Sequence, residues 1–198
     1  LVGFVYGMPA RFEDDVAQWS GRLGVLKRYQ NLNLGLLLKE RQRIWCFNQG
    51  IKALYWSYDP LQSKNAHFNL NKCKASVYQI CPKWYPEQHE SIIKMQDRFI
   101  VKWDTARKVN ESEIGSSSEY RSKITDYSKD FSKCSTVKVA IPLSIDGEFN
   151  QEQIRNDCSE KFKELCYEKF EVKGFFRDEK QGYYVFQKKR KVLEKEQK

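Results

Sequence analysis

His67, Cys73, Cys81 and His89 gather both histidines of the chain around two of its six cysteines. Thiolates and imidazoles in that number could hold a tetrahedral zinc ion. A structural zinc site draws its cysteines from a tight C-x2–4-C knuckle, however, and the spacing of Cys73 and Cys81 is wider than that. The expectation is no metal and no cofactor, with core or disulfide cysteines and surface histidines. The four residues stand as the alternative metal site.

Catalytic chemistry has few ways to assemble. The sequence contains no P-loop, dinucleotide fingerprint, H-E-x-x-H or nucleophile elbow, and Cys81 with His89 is a thiol–imidazole pair close in sequence. No catalytic residue is assigned, and the reading leans away from an enzyme. A small enzyme stays open as a third reading, because paired carboxylates declare themselves only in three dimensions.

Rings interleaved with cations give a second candidate site. Tyr78, Trp84 and Tyr85 lie among Lys72, Lys74, Lys83, Lys94, Arg98 and Lys102. Rings stack on unpaired bases while cations hold phosphates, so these nine residues form the candidate surface for RNA or single-stranded DNA. The same composition suits a protein interface. Gly21-Arg22-Leu23-Gly24 resembles the G-x-x-G loop of KH domains, in which glycines let nucleotides approach the main chain. The match covers four residues and a leucine-rich segment follows it, so glycines packed within a helix are expected there. Lys188 to Val192 resembles a nuclear-import signal and equally reads as a solvated strand end.

The elements that must carry these residues follow from hydrophobic period. Phe12, Val16, Trp19, Leu23 and Leu26 recur at steps of three and four, which predicts an amphipathic helix with Pro9 near its start. Beyond the Asn31-Leu32-Asn33 turn, Leu34, Leu37, Leu38, Arg41, Ile44, Trp45 and Asn48 predict a second helix, running on to Tyr58 and stopped by Asp59-Pro60. Strands are expected at Ser76–Cys81 and Phe99–Trp103, with a helix from Glu87 to Arg98 between them. Tyr120, Ile124, Tyr127 and Phe131 predict a third helix face. Val137 to Ile145 alternate as a half-buried strand that Pro142 confines to an edge or ends. Asn150–Phe170 reads as a helix, and residues 171–177 and 183–189 as a hairpin. The fold expected is α+β: an N-terminal amphipathic helical hairpin, then a small mixed or antiparallel sheet with helices packed on one face. Residues 110–118, rich in serine, divide a helix-rich half (1–109) from an α+β half with a charged tail (119–198), unless the two form one continuous domain.

Composition bounds the rest. In 198 residues, 28 rings (12 Phe, 11 Tyr and 5 Trp) exclude general disorder. A mean hydropathy of −0.73 and the lack of a long apolar run exclude a classical membrane-spanning helix. The net charge of +9 favours acidic partners. Leu1 to Gly7 is too short for a secretory signal, so any targeting segment is expected to have been removed.

Cys158 and Cys166, eight residues apart on one helix, are separated by roughly 12 Å and cannot bridge each other. Reduced thiols are expected, with Cys158 and Cys166 both on the inward face of that helix. An intracellular location follows, including an organelle, with secretion as the alternative supported by the Asn110 sequon. The leading expectation is a non-enzymatic subunit of a larger assembly, contacting other protein subunits through amphipathic helices and a basic surface.

Overall fold

The structure is a computed structural model that describes residues 1–84, 97–107, 124–128, 131, 133–145 and 150–189. The N-terminus is a β-hairpin. β1 (Gly3–Phe12) and β2 (Asp15–Val25) pair antiparallel along their length, around a turn in which Glu13 adopts φ 54°. The helix expected from Phe12 to Leu26 is therefore overturned, and with it the helical hairpin. Its apolar spacing is matched by strand pairing, and Gly21 and Gly24 suit a strand crossed by rings. A β-carbon on Gly24 would stand 2.7 Å from Phe4 Cε1. The same placement removes the KH-like loop, because both glycines lie within β2.

The second expected helix is half right. α1 (Leu34–Asn48) ends before Gly50 at φ 72°, and the chain continues as β3 (Ala53–Tyr58). Its inward face is polar: Lys39, Gln42 and Arg43 are buried with Cys46, while Leu37, Ile44 and Trp45 of the expected apolar stripe are exposed. Buried polar groups persist only when bonded. Gln42 Nε2 donates to Gln18 Oε1 at 2.7 Å, Ser20 Oγ donates to Gln42 Oε1 at 2.8 Å, and an Arg43 guanidinium nitrogen donates to the Thr105 carbonyl.

α2 (Ser63–Ala66) runs on into a π-helical segment, His67–Lys72. β4 (Ser76–Cys81) and β5 (Arg98–Asp104) complete a sheet of order β1-β2-β3-β5-β4, antiparallel except for β2 with β3. A second sheet, order β6-β7-β9-β8, comprises β6 (Thr125–Asp126), β7 (Thr136–Pro142), β8 (Phe170–Arg177) and β9 (Gln181–Lys188). α3 (Gln151–Tyr167) connects β7 to β8. Cys158, Phe162 and Leu165 form its buried face, whereas Cys166, one residue past Leu165 and about 100° further round, is exposed. That corrects the expected burial of Cys166.

One apolar core draws on both sheets, with Phe99 of β5 against Phe162 of α3 (5.1 Å between ring centroids) and Tyr184 of β9 (5.1 Å). All six cysteines are free. Among the described residues no helix is long and apolar enough to cross a membrane. The expected helix at 87–98 falls largely on residues outside those described, as do the 110–118 boundary, Asn110 and the basic run from residue 190 onward; the helix expected from Tyr120 begins there too, while Thr125 and Asp126 are strand.

Candidate functional site

β2 and β3 pair over three residues only, Ala17–Trp19 against Ala53–Tyr55. The cause lies on the other side of β2. Against β1, Tyr6 pairs with Arg22 and Gly7 with Ser20, leaving Gly21 as an extra residue. Such a bulge bends its strand and increases the local twist. Gly21 also admits the Tyr6 ring, since a β-carbon there would stand 2.6 Å from Tyr6 Cε2.

Past Trp19 and Tyr55 the two parallel strands part. Ser20–Val25 and Trp56–Tyr58 then present backbone edges to one another that no ladder joins, each strand being paired on its outer side by β1 or β5. An unpaired edge is a row of hydrogen-bonding groups open to an extended ligand, apart here from the Ser57 and Val25 carbonyls, which accept from Arg98 at 3.1 Å and Gln30 at 3.0 Å.

The wide end of this opening is bounded by a loop and a helix start. After a 3-10 turn at Lys27–Tyr29, Asn31 and Asn33 adopt φ 64° and 57°, a region that asparagine enters more readily than other side chains. The first bond of α1 runs from Leu37 N–H to the Asn33 carbonyl, 3.1 Å, so the N–H groups of Leu34, Gly35 and Leu36 precede the helical ladder. Asn33 does not cap them, because its Oδ1 accepts from Lys72 Nζ at 2.9 Å. The first turn contains no acidic residue. Left-handed loop residues leading into an uncapped helix start leave backbone N–H groups without an intrahelical partner, and the Lys72 cation stands beside them. Leu23, Gly35 and Phe68 meet at this end: a β-carbon on Gly35 would lie 3.6 and 3.7 Å from the other two.

At the narrow end stands Lys39. Its Nζ donates to Ser20 Oγ at 2.8 Å and lies 3.5 Å from the centroid of the Trp56 ring, touching the first residue of each strand beyond the paired segment. Burial lowers the Lys39 amine to about 7. β3 ends at Tyr58, whose hydroxyl is 3.2 Å from that of Tyr184. Tyr184 Oη is also 2.8 Å from the Pro60 carbonyl, which can only accept, so the phenol–phenol contact takes its proton from Tyr58. Burial raises both phenols above their ordinary value, and both are neutral at pH 7.

No family model matches the chain, and no curated protein matches it in sequence. Solved structures similar to the chain include acetyltransferases. A GNAT family acetyltransferase from Elizabethkingia anophelis with acetyl-CoA bound is 16% identical, covering 52% of this chain and 69% of its own, with a TM-score of 0.44. The ribosomal-protein-S18-alanine N-acetyltransferase from Escherichia coli is 14% identical over 55% of this chain and 65% of its own, TM-score 0.41. The IAA acetyltransferase from Bacillus cereus is 14% identical over 52% and 69%, TM-score 0.42. This chain thus spans about two thirds of the length of each.

The expected non-enzymatic subunit is corrected, as is the alternative of an RNA- or single-stranded-DNA-binding module. The helical hairpin on which the subunit reading stood is a β-hairpin, and of the cations offered to nucleic acid Lys72 is held by Asn33 and Arg98 by Ser57.

Of the seven ring-and-cation residues among those described, Tyr78, Trp84 and Lys102 gather around the contiguous rings of Phe12, Trp19 and Tyr55, while Lys72 and Arg98 are engaged elsewhere. Lys72 is held by Asn33, Arg98 donates to the Ser57 carbonyl at 3.1 Å, and the Lys83 N–H donates to Asp97 at 3.0 Å. Lys74 adopts φ 53° after the π-helical segment. Tyr78 donates to Glu13 at 3.0 Å and lies edge-on to Tyr55, near whose ring Lys102 sits at 5.7 Å. Trp84 stacks on Trp19, while Tyr85 and Lys94 lie outside the described residues.

Of the four possible metal ligands, Cys73 is fully buried, Cys81 is half-buried, and His67 Nδ1 is 3.0 Å from Asn71 Nδ2. His89 lies outside the described residues, among which no group of three or more His, Cys, Asp or Glu could hold a metal.

Gly21, Asn31, Asn33 and Lys39, which shape the opening, were not legible as a site. Two asparagines just ahead of a helix with no acidic first turn are the one local signal that points to it.

Proposed function

We propose that the chain binds an acyl-coenzyme A and serves acyl transfer to a nucleophile of an acceptor. The parting of β2 from β3 beside an uncapped, left-handed loop-to-helix start is the observation that carries this reading. A coenzyme A thioester combines a diphosphate, suited to the N–H groups around Asn31–Leu36, with an extended arm bearing two amides, suited to the open edges of Ser20–Val25 and Trp56–Tyr58. The thioester supplies the activated acyl group: its C–S bond breaks as the acceptor–acyl bond forms, and coenzyme A leaves as the thiol, with the acceptor's proton ending on its sulfur. The chain's part is to hold the arm extended and to offer edge N–H groups toward the thioester carbonyl, where negative charge develops during attack.

Titration of the protein with coenzyme A and with acetyl-CoA, followed calorimetrically, tests the reading. Saturable binding of both is expected, weakened at least about tenfold for pantetheine, which lacks the diphosphate. No binding of either at millimolar ligand overturns it.

A further inference from the structure

The direction of β2 orders the opening. Its wide end at Val25 meets the loop of Asn31 and Asn33, and its narrow end at Ser20 lies roughly 17 Å back along the strand. On the reading above, a thioester with its diphosphate at the loop extends its acyl group toward Ser20, Trp56 and Lys39. We infer that Lys39 selects the acyl group, its ammonium pairing with a carboxylate at the far end of the acyl chain, so that thioesters of dicarboxylic acids are preferred to acetyl-CoA.

Lys39 is 3% exposed, and among the described residues no carboxylate lies within ion-pair reach of it. Glu40, beside it on α1, pairs instead with Arg43 at 2.8 Å. Ser20 gives its own proton to Gln42 and so receives one N–H of Lys39, and the Trp56 face receives the cation without neutralising it. A buried cation left without an anion is costly, and a ligand carboxylate relieves that cost. The groups packed around it supply no competing charge: Ser20 from β2, Trp56 from β3, Cys46 from α1 and Cys73 after the π-helical segment. Burial pushes the two thiols up to about 11 and 12, so they are neutral. The amine is partly deprotonated at pH 7.5 when unliganded. A carboxylate beside it therefore draws in a proton on binding.

The experiment is calorimetric titration of the whole chain with coenzyme A, acetyl-CoA and succinyl-CoA at pH 7.5, in two buffers of different ionisation enthalpy. Succinyl-CoA is expected to bind at least about tenfold more tightly than acetyl-CoA, with proton uptake, while in Lys39→Met the ratio of the two affinities falls to about one. If coenzyme A binds and the wild-type chain does not prefer succinyl-CoA, the selector role is overturned and the acyl-coenzyme A reading stands. If no coenzyme A species binds, both fall. The wild-type series decides even if Lys39→Met fails to fold, and Lys39→Arg, which keeps the charge, is expected to retain part of the preference.

Discussion

Arg155 on α3 holds Asp59 at the end of β3 with two nitrogens, at 3.0 and 3.3 Å from the two carboxylate oxygens. Both side chains are largely shielded, and Asp59 also accepts the Leu61 N–H at 2.9 Å. The helix of the second sheet thereby fixes the strand end where the opening of the first sheet terminates. Arg155→Ala leaves that carboxylate without its partner, and a loss of about 2–4 kcal/mol is expected. Urea unfolding with an unchanged m-value checks it; a loss under about 0.5 kcal/mol assigns the pair no structural weight.

Tyr184→Phe removes the hydroxyl that satisfies the Pro60 carbonyl while keeping the ring against Phe99 and Phe162. Stability is expected to fall by about 1–3 kcal/mol, the cost of a buried acceptor left unmet. Tyr58→Phe removes only the neighbouring phenol–phenol contact and is expected to cost less. Equilibrium unfolding of the two variants side by side gives the order.

Asn33 holds φ 57°, which glycine adopts freely and valine resists. Asn33→Gly is expected to retain coenzyme A binding within about threefold, and Asn33→Val to weaken it by at least about tenfold. Circular dichroism distinguishes a local loop effect from loss of the fold.

Lys39 gives stability a signed pH dependence. Its amine is lowered to about 7 in the fold against an ordinary 10.5, so between those values the unfolded chain binds more protons and stability rises with pH. Above about 9 the raised thiols of Cys46 and Cys73 oppose the trend, because the unfolded thiols ionise first. Denaturation midpoints should therefore climb from pH 7 to 9 in the wild type. In Lys39→Met that slope should be absent.

Thiol accessibility checks the packing of α3. Cys166 is expected to alkylate in the native protein well before Cys46, Cys73 and Cys158, which should react only on unfolding. Peptide mass mapping after a short native pulse of iodoacetamide reads the order directly, and early labelling of Cys158 would contradict the burial of that helix face.

Local signals made the second half legible. The residues of α3 repeat at the helical period behind Asn150, and β8 and β9 flank a turn in which Asp178 accepts the N–H groups of Lys180 and Gln181. β4, β5 and β7 likewise lie within a residue or a few of where alternation put them. α3 and β7 each bury a face that the sequence marks as apolar, so period located them.

Tertiary partners decided the first half and the candidate site. Phe12 to Leu26 has helical spacing, yet pairing with β1 makes it a strand, and the bulge at Gly21 displaces the alternation that would have revealed one. α1 was misjudged in its facing because Gln42, Ser20 and Gln18 satisfy one another across two elements, which makes a polar face an inward one. Sequence by itself located α3 and the β8–β9 hairpin, since those choices depend on neighbours a few residues away. The opening of β2 from β3, the burial of Lys39 at its narrow end and the clasp of Asp59 by Arg155 arise between residues 17 to 96 positions apart, and only folding brings such residues into contact.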